Sequence, residues 1–320
     1  MKPVNYSQAG DEPEALRLLV PADALGMRLD QGLARWLPDY SRNRLKEWIE
    51  AGAVLVDGKP ALPRQRLRGG EAIEVRPSPA PQEQAYKPEA IALAIVHEDD
   101  ALLVIDKPAG LVVHPAAGNW EGTLQNALVH HDSALERVPR AGIVHRLDKD
   151  TSGLMVVART LEAHTSLVRQ LQARTVRREY QALLGGRLQA GGSVDAAIGR
   201  HRTQRTRMAV VDEGAAGARA AVTHVTVRRR LVRDGVAATL VICRLETGRT
   251  HQIRVHMQHL GHPVVGDQTY GRMPWKAWLD RQALHAWRLA LVHPRSGEEM
   301  RWESRLPADM RNLIANMEEE

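Results

Sequence analysis

A cluster of prolines divides this chain of 320 residues into two parts that fold separately. The stretch RPSPAPQEQAYKPE, residues 76–89, holds four of the seventeen prolines. Proline fixes φ and lacks an amide hydrogen, so such a run is extended, semi-rigid and unable to continue a helix. We therefore predict a flexible N-terminus (1–14), a small domain (15–76), a linker (77–89) and a large domain (90–320).

The small domain has the pattern of two short helices followed by strands. In RLDQGLARWL, Leu29, Leu33 and Trp36 recur at helical spacing, and Ser41 is placed to cap a second helix. The segments VLVDGKPA and EAIEV alternate as strands do, and Asp57-Gly58 is a hairpin turn signal. These features predict a small α/β domain.

The large domain is dominated by strand patterns. Strand-like stretches include LLVIDKP, GLMVVART, REYQALLGG, VTHVTVRRR and TLVICRLETG. Thr160 and Thr250 each precede a helical pattern, LEAHTSLVRQLQ and HQIRVHMQHL, and are placed as N-caps. We predict an α+β fold with a mixed, mostly antiparallel sheet and flanking helices.

The charge of the chain favours a polyanionic partner. Its net charge is +6, and of its 44 basic residues seven are lysine and 37 arginine. The planar guanidinium matches phosphate and stacks on bases, so nucleic acid is one interpretation, and a solvated arginine-rich surface is the other. The N-terminus has no signal-peptide pattern and no apolar run is long enough to span a membrane, so we expect a cytoplasmic protein.

The stretch HRLDKDTSGL carries five titratable side chains in its first six residues, just before an apolar run. Asp148 and Asp150 lie two apart, and DTSG favours a tight turn. One interpretation is a solvated turn, and the other is a catalytic carboxylate held where a strand begins. The local pattern alone leaves both open.

Two further residues depart from a purely structural pattern. Arg254 falls in the first turn of its predicted helix, where a cation opposes the helix dipole, so a carboxylate or phosphate partner is expected unless Arg254 is simply exposed. Tyr180 lies in a strand, where a core position is the alternative. The histidines around this helix lack the spacing of a zinc site, and we expect no metal.

Five motifs in this order resemble the RluA-type pseudouridine synthases. They are DKPAGLVVHP (106–115), HRLDKDTSGL (145–154), REYQALLGG (178–186), LETGRTHQIRVHM (245–257) and RQALHAWRLALVHP (281–294). Residues 28–75 resemble the S4 RNA-binding domain that precedes the catalytic domain in many members. The resemblance covers about residues 15–315 and is strongest to a subgroup acting on a stem-loop of large-subunit (23S) ribosomal RNA.

The resemblance implies isomerisation of uridine to pseudouridine without any cofactor. It implies that Asp148 is the catalytic aspartate, that Arg254 pairs with it, and that Tyr180 lies against the target base. It also implies that Arg146 fills the gap left by a flipped nucleotide, whose extrusion costs a few kcal/mol.

A further set of residues is expected to contact RNA. The set is Arg28, Arg42, Arg44 and Lys46 of the S4-like domain, Arg205 of a glycine- and alanine-rich loop region, and Lys107, whose motif also suggests structural support. We expect a monomer whose partner is 23S ribosomal RNA or the large subunit. Two other functions remain open: an RNA-binding ribosome-assembly factor, and a glycosidase that uses Asp148 and Asp150 as a carboxylate pair.

Overall fold

The structure is a computed structural model that describes residues 15–77, 87–116, 119–204 and 206–320. Residue contacts divide the chain into two compact units, with the division at residues 83 and 84, inside the proline-rich stretch. The predicted flexible N-terminus (1–14), most of the predicted linker (78–86) and Arg205 lie outside the described residues.

The first unit packs two helices on a small sheet. Its elements are α1 (Leu29–Trp36), α2 (Arg42–Glu50), β1 (Leu16–Leu19), β2 (Val54–Val56), β3 (Lys59–Pro60) and β4 (Ala72–Val75). The sheet is antiparallel with strand order β1-β4-β2-β3. The predicted cap is present, since Ser41 Oγ accepts from the Arg44 amide at 3.3 Å. Asp57 and Gly58, both at positive φ (49° and 73°), form the predicted turn between β2 and β3.

The second unit contains a large sheet with helices against it. Its helices are α3 (Leu124–His131), α4 (Leu161–Gln172), α5 (Gln252–His259) and α6 (Ala308–Ala315). Its strands are β5 (Ile95–Glu98), β6 (Leu102–Lys107), β7 (Ser152–Ala158), β8 (Arg177–Gly185), β9 (Gly192–Asp195), β10 (Ile198–Arg200), β11 (Met208–Val210), β12 (Val222–Arg233), β13 (Val236–Leu245), β14 (Leu284–Val292), β15 (Glu299–Glu303) and β16 (Glu318–Glu319).

The large sheet is mixed and mostly antiparallel, which confirms the predicted α+β fold. Its order is β16-β12-β13-β8-β14-β7-β6-β5, with β9 beside β12 and β15 beside β14. Among the strands that the structure describes in this sheet, β7 and β14 are the one parallel pair. Strands β10 and β11 form a separate hairpin.

The centre of this sheet is buried on both faces. On β6, Leu102 and Val104 belong to the same apolar cluster as Leu167 of α4, whereas Leu103 and Ile105 pack in the cluster that includes Leu124 of α3. Because neighbouring side chains of a strand point to opposite faces, a strand covered on both sides reads as a continuous apolar run. This explains why LLVIDK and GLMVVA carry so few polar residues.

Candidate active site

The motifs singled out in the sequence converge on one cavity of the second unit. The cavity has a volume of about 860 Å³. Its lining includes His145, Arg146, Asp148, Arg178, Tyr180 and Arg254. These residues come from three separate parts of the chain: the segment before β7, the first half of β8, and the start of α5.

Two glycines allow the chain to hold Asp148 at the edge of the cavity. Gly142 has φ +79°, and a Cβ atom there would lie 1.9 Å from the carbonyl oxygen of Ala158. Gly153 has φ +115°, and a Cβ atom there would lie 2.2 Å from the carbonyl oxygen of Ala286. A side chain fits at neither position, so the segment between them is pressed against β7 and β14. Asp148 therefore stands on a fixed backbone rather than on a free surface turn.

Lys107 holds the backbone of the turn that carries Asp148. Its side chain is 1% exposed, and Nζ donates to the carbonyl oxygens of Pro108 (2.7 Å), Leu111 (2.9 Å) and Lys149 (2.9 Å). All three ammonium hydrogens are thus used inside the protein. Burial lowers the pKa of Lys107 to about 8, although Asp150 and Asp148 oppose the shift. The expectation that Lys107 contacts RNA is inconsistent with this burial, whereas structural support agrees with it.

Arg254 joins two carboxylates at the floor of the cavity. Its Nη1 donates to Asp148 Oδ2 at 2.9 Å, while Nε and Nη2 donate to the two oxygens of Asp267 at 2.7 and 2.9 Å. Arg254 is 5% exposed and Asp267 is fully buried. Burial alone would lower the pKa of Arg254, but the bonds and charges of Asp267 and then Asp148 raise it above its ordinary value. The sequence predicted a carboxylate partner for this arginine in the first helical turn, and the structure provides two, Asp148 and Asp267.

Asp267 is held charged by the same contacts. Burial by itself would raise its pKa, but the bonds and charge of Arg254, with backbone amides of Tyr270 and Thr269, lower it below the usual value. Asp267 is not among the residues predicted from the sequence. The available signal was Arg254 itself, because a cation in a first helical turn requires an acid that its own helix does not supply.

A histidine and a tyrosine lie on the other side of Asp148. His251, at φ +57°, is the residue that caps α5, so the prediction that Thr250 is the N-cap is wrong by one position. His251 Nδ1 lies 2.8 Å from the hydroxyl oxygen of Tyr270, and that oxygen accepts from the Met208 amide at 2.9 Å. His251 Nε2 lies 3.9 Å from Asp148 Oδ1.

Tyr180 lines the cavity and also belongs to the core. It is 6% exposed, lies on β8 and packs in the main apolar cluster of the unit. Burial raises the pKa of its hydroxyl, an effect that the nearby Arg178 opposes and Asp148 reinforces. The two sequence interpretations of Tyr180 are thus compatible, because one part of the ring packs inward while another faces the cavity.

The remaining predicted residues fall into two groups. Arg146 is exposed at the cavity lining, two residues before Asp148. The S4-like residues belong to the first unit: Arg28 and Arg42 both pair with the buried Asp30 at 2.8 and 3.2 Å. In the same unit, Arg44 lies over the Trp48 ring, and Lys46 pairs with Glu50 at 3.5 Å.

Among the described residues, no cluster of His, Cys, Asp and Glu side chains is arranged to hold a metal ion.

Two families match the two units. Residues 27–73 match the S4 domain, and residues 101–259 match the family described as RNA pseudouridylate synthase. The chain is 53% identical to the ribosomal large subunit pseudouridine synthase D of Nitrosomonas europaea, over 98% of this chain and 91% of that protein. It is 49% identical to the protein of the same name from Escherichia coli, over 94% of each.

This chain belongs to the RNA pseudouridylate synthase family. A solved structure agrees with this: that of human RNA pseudouridylate synthase domain containing 1 is 31% identical with a TM-score of 0.57, covering 72% of this chain and 90% of that one. The chain is therefore an RNA pseudouridine synthase with an S4 domain before its catalytic part. In the portion of the chain that the structure describes, the helices are too short or too polar to cross a membrane.

Proposed function

We propose that this enzyme converts uridine to pseudouridine in large-subunit (23S) ribosomal RNA, at a stem-loop, with Asp148 as the catalytic carboxylate. The relatives that are about half identical over nearly their whole length carry the name of ribosomal large subunit pseudouridine synthase. The observation that carries the residue assignment is the 2.9 Å bond between Arg254 and Asp148 inside the cavity.

The reaction needs a carboxylate that stays charged next to the ribose. Breaking the N1–C1′ bond leaves C1′ electron-deficient, and a carboxylate either attacks C1′ or removes the neighbouring C2′ proton. The uracil then turns and C5 bonds to C1′, while the carboxylate bond to C1′ breaks or, on the other route, C2′ regains its proton. The C5 proton is lost and N1 gains one, so no atom is added or removed overall and the carboxylate is restored. Arg254 holds the Asp148 carboxylate in one direction through their 2.9 Å bond.

The other cavity residues have complementary roles in this proposal. Tyr180 lies against the uracil ring and limits how it turns, and its raised pKa keeps the hydroxyl neutral. Arg146 is exposed, charged and close in sequence to Asp148, so it takes the place of the extruded nucleotide in the stem. Since extrusion costs a few kcal/mol, a planar cation that stacks and binds phosphate lowers this cost.

Asp148→Asn tests the assignment, with Asp150→Asn as its matched control. Both changes remove one negative charge from the same turn. We expect Asp148→Asn to bind ribosomal RNA normally and to form no pseudouridine, as read by carbodiimide mapping, and Asp150→Asn to remain active. Pseudouridine formation by Asp148→Asn at the wild-type rate would exclude the proposed role.

The S4 unit supports a second function for the same protein, as a binding factor in ribosome assembly. The S4 domain spans residues 27–73. Expressing Asp148→Asn in a deletion strain separates the two functions. If large-subunit assembly is restored although the RNA remains unmodified, the cellular requirement is for binding; if assembly stays defective, it is for catalysis.

A further inference from the structure

Arg178 is a buried cation in the cavity for which the described residues provide no carboxylate. It lies on β8 two residues before Tyr180 and is 7% exposed. Its Nη2 has a single long contact, 3.5 Å from the carbonyl oxygen of Glu246, and Nε has no partner within the described structure. The proposed catalytic pair of Asp148 and Arg254 does not use this guanidinium, and the long contact to Glu246 leaves its charge unpaired.

The acidic side chains nearest to Arg178 in sequence or contact are already engaged. Glu179 pairs with Arg288 at 3.3 Å. The carboxylate of Glu246 binds Arg174 at 3.0 Å and His224 at 2.6 Å. The described residues therefore leave the positive charge of Arg178 without a matching anion.

An uncompensated buried guanidinium is unfavourable, and its effects reach its neighbours. Burial lowers the pKa of Arg178 below its ordinary value. Burial and the charge of Arg178 lower the pKa of His145 to about 3, so that ring is neutral and adds no second positive charge beside the guanidinium. Buried charges that persist in proteins are paired or serve a ligand. Here the open side of the group is a cavity, so the missing anion comes from what enters the cavity.

The loop opposite Arg178 has a glycine at the point where a side chain would press on the guanidinium. Gly248 lies beside the guanidinium: a Cβ atom there would be 2.8 Å from Arg178 Nη1. Both residues line the cavity together with Asp148. Arginine also suits this position because its planar fork of donors binds two oxygens of one phosphate at once, which lysine does not.

We propose that Arg178 is the binding site for a backbone phosphate of the RNA, at the linkage next to the nucleotide that enters the cavity. This inference rests on the proposed function, since it takes RNA to be the occupant. Tyr180 and Arg178 lie on the same side of one strand, about 6.5–7 Å apart along it, so a base against the tyrosine brings its own backbone to the arginine. RNA supplies one such phosphate per nucleotide.

The first test compares Arg178→Met with Arg177→Met, its exposed neighbour on the same strand. We expect Arg178→Met to weaken binding of a ribosomal RNA fragment roughly 10- to 100-fold, the loss typical of a charge-assisted bond. The slope of log K against log salt should fall by about 0.7–0.9. Arg177→Met should change affinity by less than about twofold. An unchanged slope in Arg178→Met would refute the phosphate contact.

Stability distinguishes this role from a structural one. Removing an unpaired buried charge should leave the melting temperature of the free protein unchanged or raise it. A fall in melting temperature in Arg178→Met would instead show that the guanidinium holds the fold, which contradicts the proposal.

The decisive test removes the phosphate charge instead of the arginine. Single methylphosphonate linkages are placed along a 2′-O-methyl form of the RNA fragment, and binding is compared with the same fragment carrying phosphodiesters only. One neutral linkage should weaken wild-type binding 10- to 100-fold and have no effect on Arg178→Met. If no neutral linkage weakens binding in this way, but the wild-type enzyme still forms pseudouridine in unmodified RNA, then the phosphate contact is refuted and the proposed function stands. If the wild-type enzyme forms no pseudouridine in that RNA, then the proposed function itself is refuted.

Discussion

The hydroxyl of Tyr270 lies 2.8 Å from Nδ1 of His251 and is placed to donate its hydrogen to that nitrogen. The Tyr270 oxygen already accepts from the Met208 amide at 2.9 Å, so its own hydrogen is free to be donated to Nδ1. The neutral ring then carries its N–H on Nε2, which faces Asp148 Oδ1 at 3.9 Å. Burial, opposed by Asp148, lowers the pKa of His251 below 6.5, which keeps the ring neutral at pH 7.

We predict that Tyr270→Phe slows the reaction without weakening RNA binding. Losing one neutral hydrogen bond of about 0.5–1.5 kcal/mol should lower the single-turnover rate at saturating RNA by about 2- to 10-fold. His251→Gln should keep more activity than His251→Leu, because an amide accepts at one end and donates at the other. Equal rates for the two His251 variants would show that the ring only fills space.

We predict that Asp267→Asn destabilises the protein more than Asp148→Asn does. Asp267 is fully buried and makes two bonds to Arg254, whereas Asp148 makes one and its side chain is 16% exposed. Breaking a buried pair costs about 3–5 kcal/mol because a charge is left uncompensated. Urea unfolding at pH 7 measures both variants, and a smaller loss for Asp267→Asn would contradict this order.

The strands and helices of this chain were predictable because each carries its signal locally. Five strand segments and the Thr160 cap, whose Oγ1 accepts from the Ala163 amide at 3.1 Å, are found where the sequence placed them. Strand β1 was not predicted, because its side chains alternate only between half-buried and exposed. A strand is predicted from sequence when apolar and polar residues alternate with one face fully buried, and this strand has no fully buried face.

The site was predictable only in part, because its partners come from distant segments. Arg254 indicated an acid through its conflict with the helix dipole, yet nothing local indicated that Asp267, 13 residues further on, would supply two of the three bonds. Arg178 is the first residue of the motif REYQALLGG, but the sequence did not indicate that it would be buried without a carboxylate, since lack of a partner is a property of three-dimensional packing. Sequence patterns therefore identify residues that conflict with their own element, but not residues whose partners are absent.

We predict that Arg146→Ala impairs the enzyme more on structured RNA than on unstructured RNA. If Arg146 replaces the extruded nucleotide, it lowers the unstacking cost, which is a few kcal/mol in a stem and small in a single strand. Single-turnover rates on a stem-loop and on a mutated fragment that cannot pair provide the comparison. The same loss on both RNAs would show that Arg146 acts as a charge and does not replace a base.

We predict that His145 makes the protein sensitive to acid. Its pKa is about 3 in the folded state, because of burial and then Arg178, against 6.5 for an ordinary histidine. As pH falls below 6.5 the unfolded chain binds a proton that the folded protein does not, so stability is lost down to about pH 3, at up to about 1.4 kcal/mol per pH unit. His145 Nε2 accepts from the Val156 amide at 3.1 Å, and His145→Gln preserves an acceptor without a titrating group. The free energy of unfolding, measured with urea at pH 7, 6, 5 and 4, should therefore fall less steeply with pH for His145→Gln than for wild type. Parallel curves for the two proteins would mean that other groups account for the acid sensitivity.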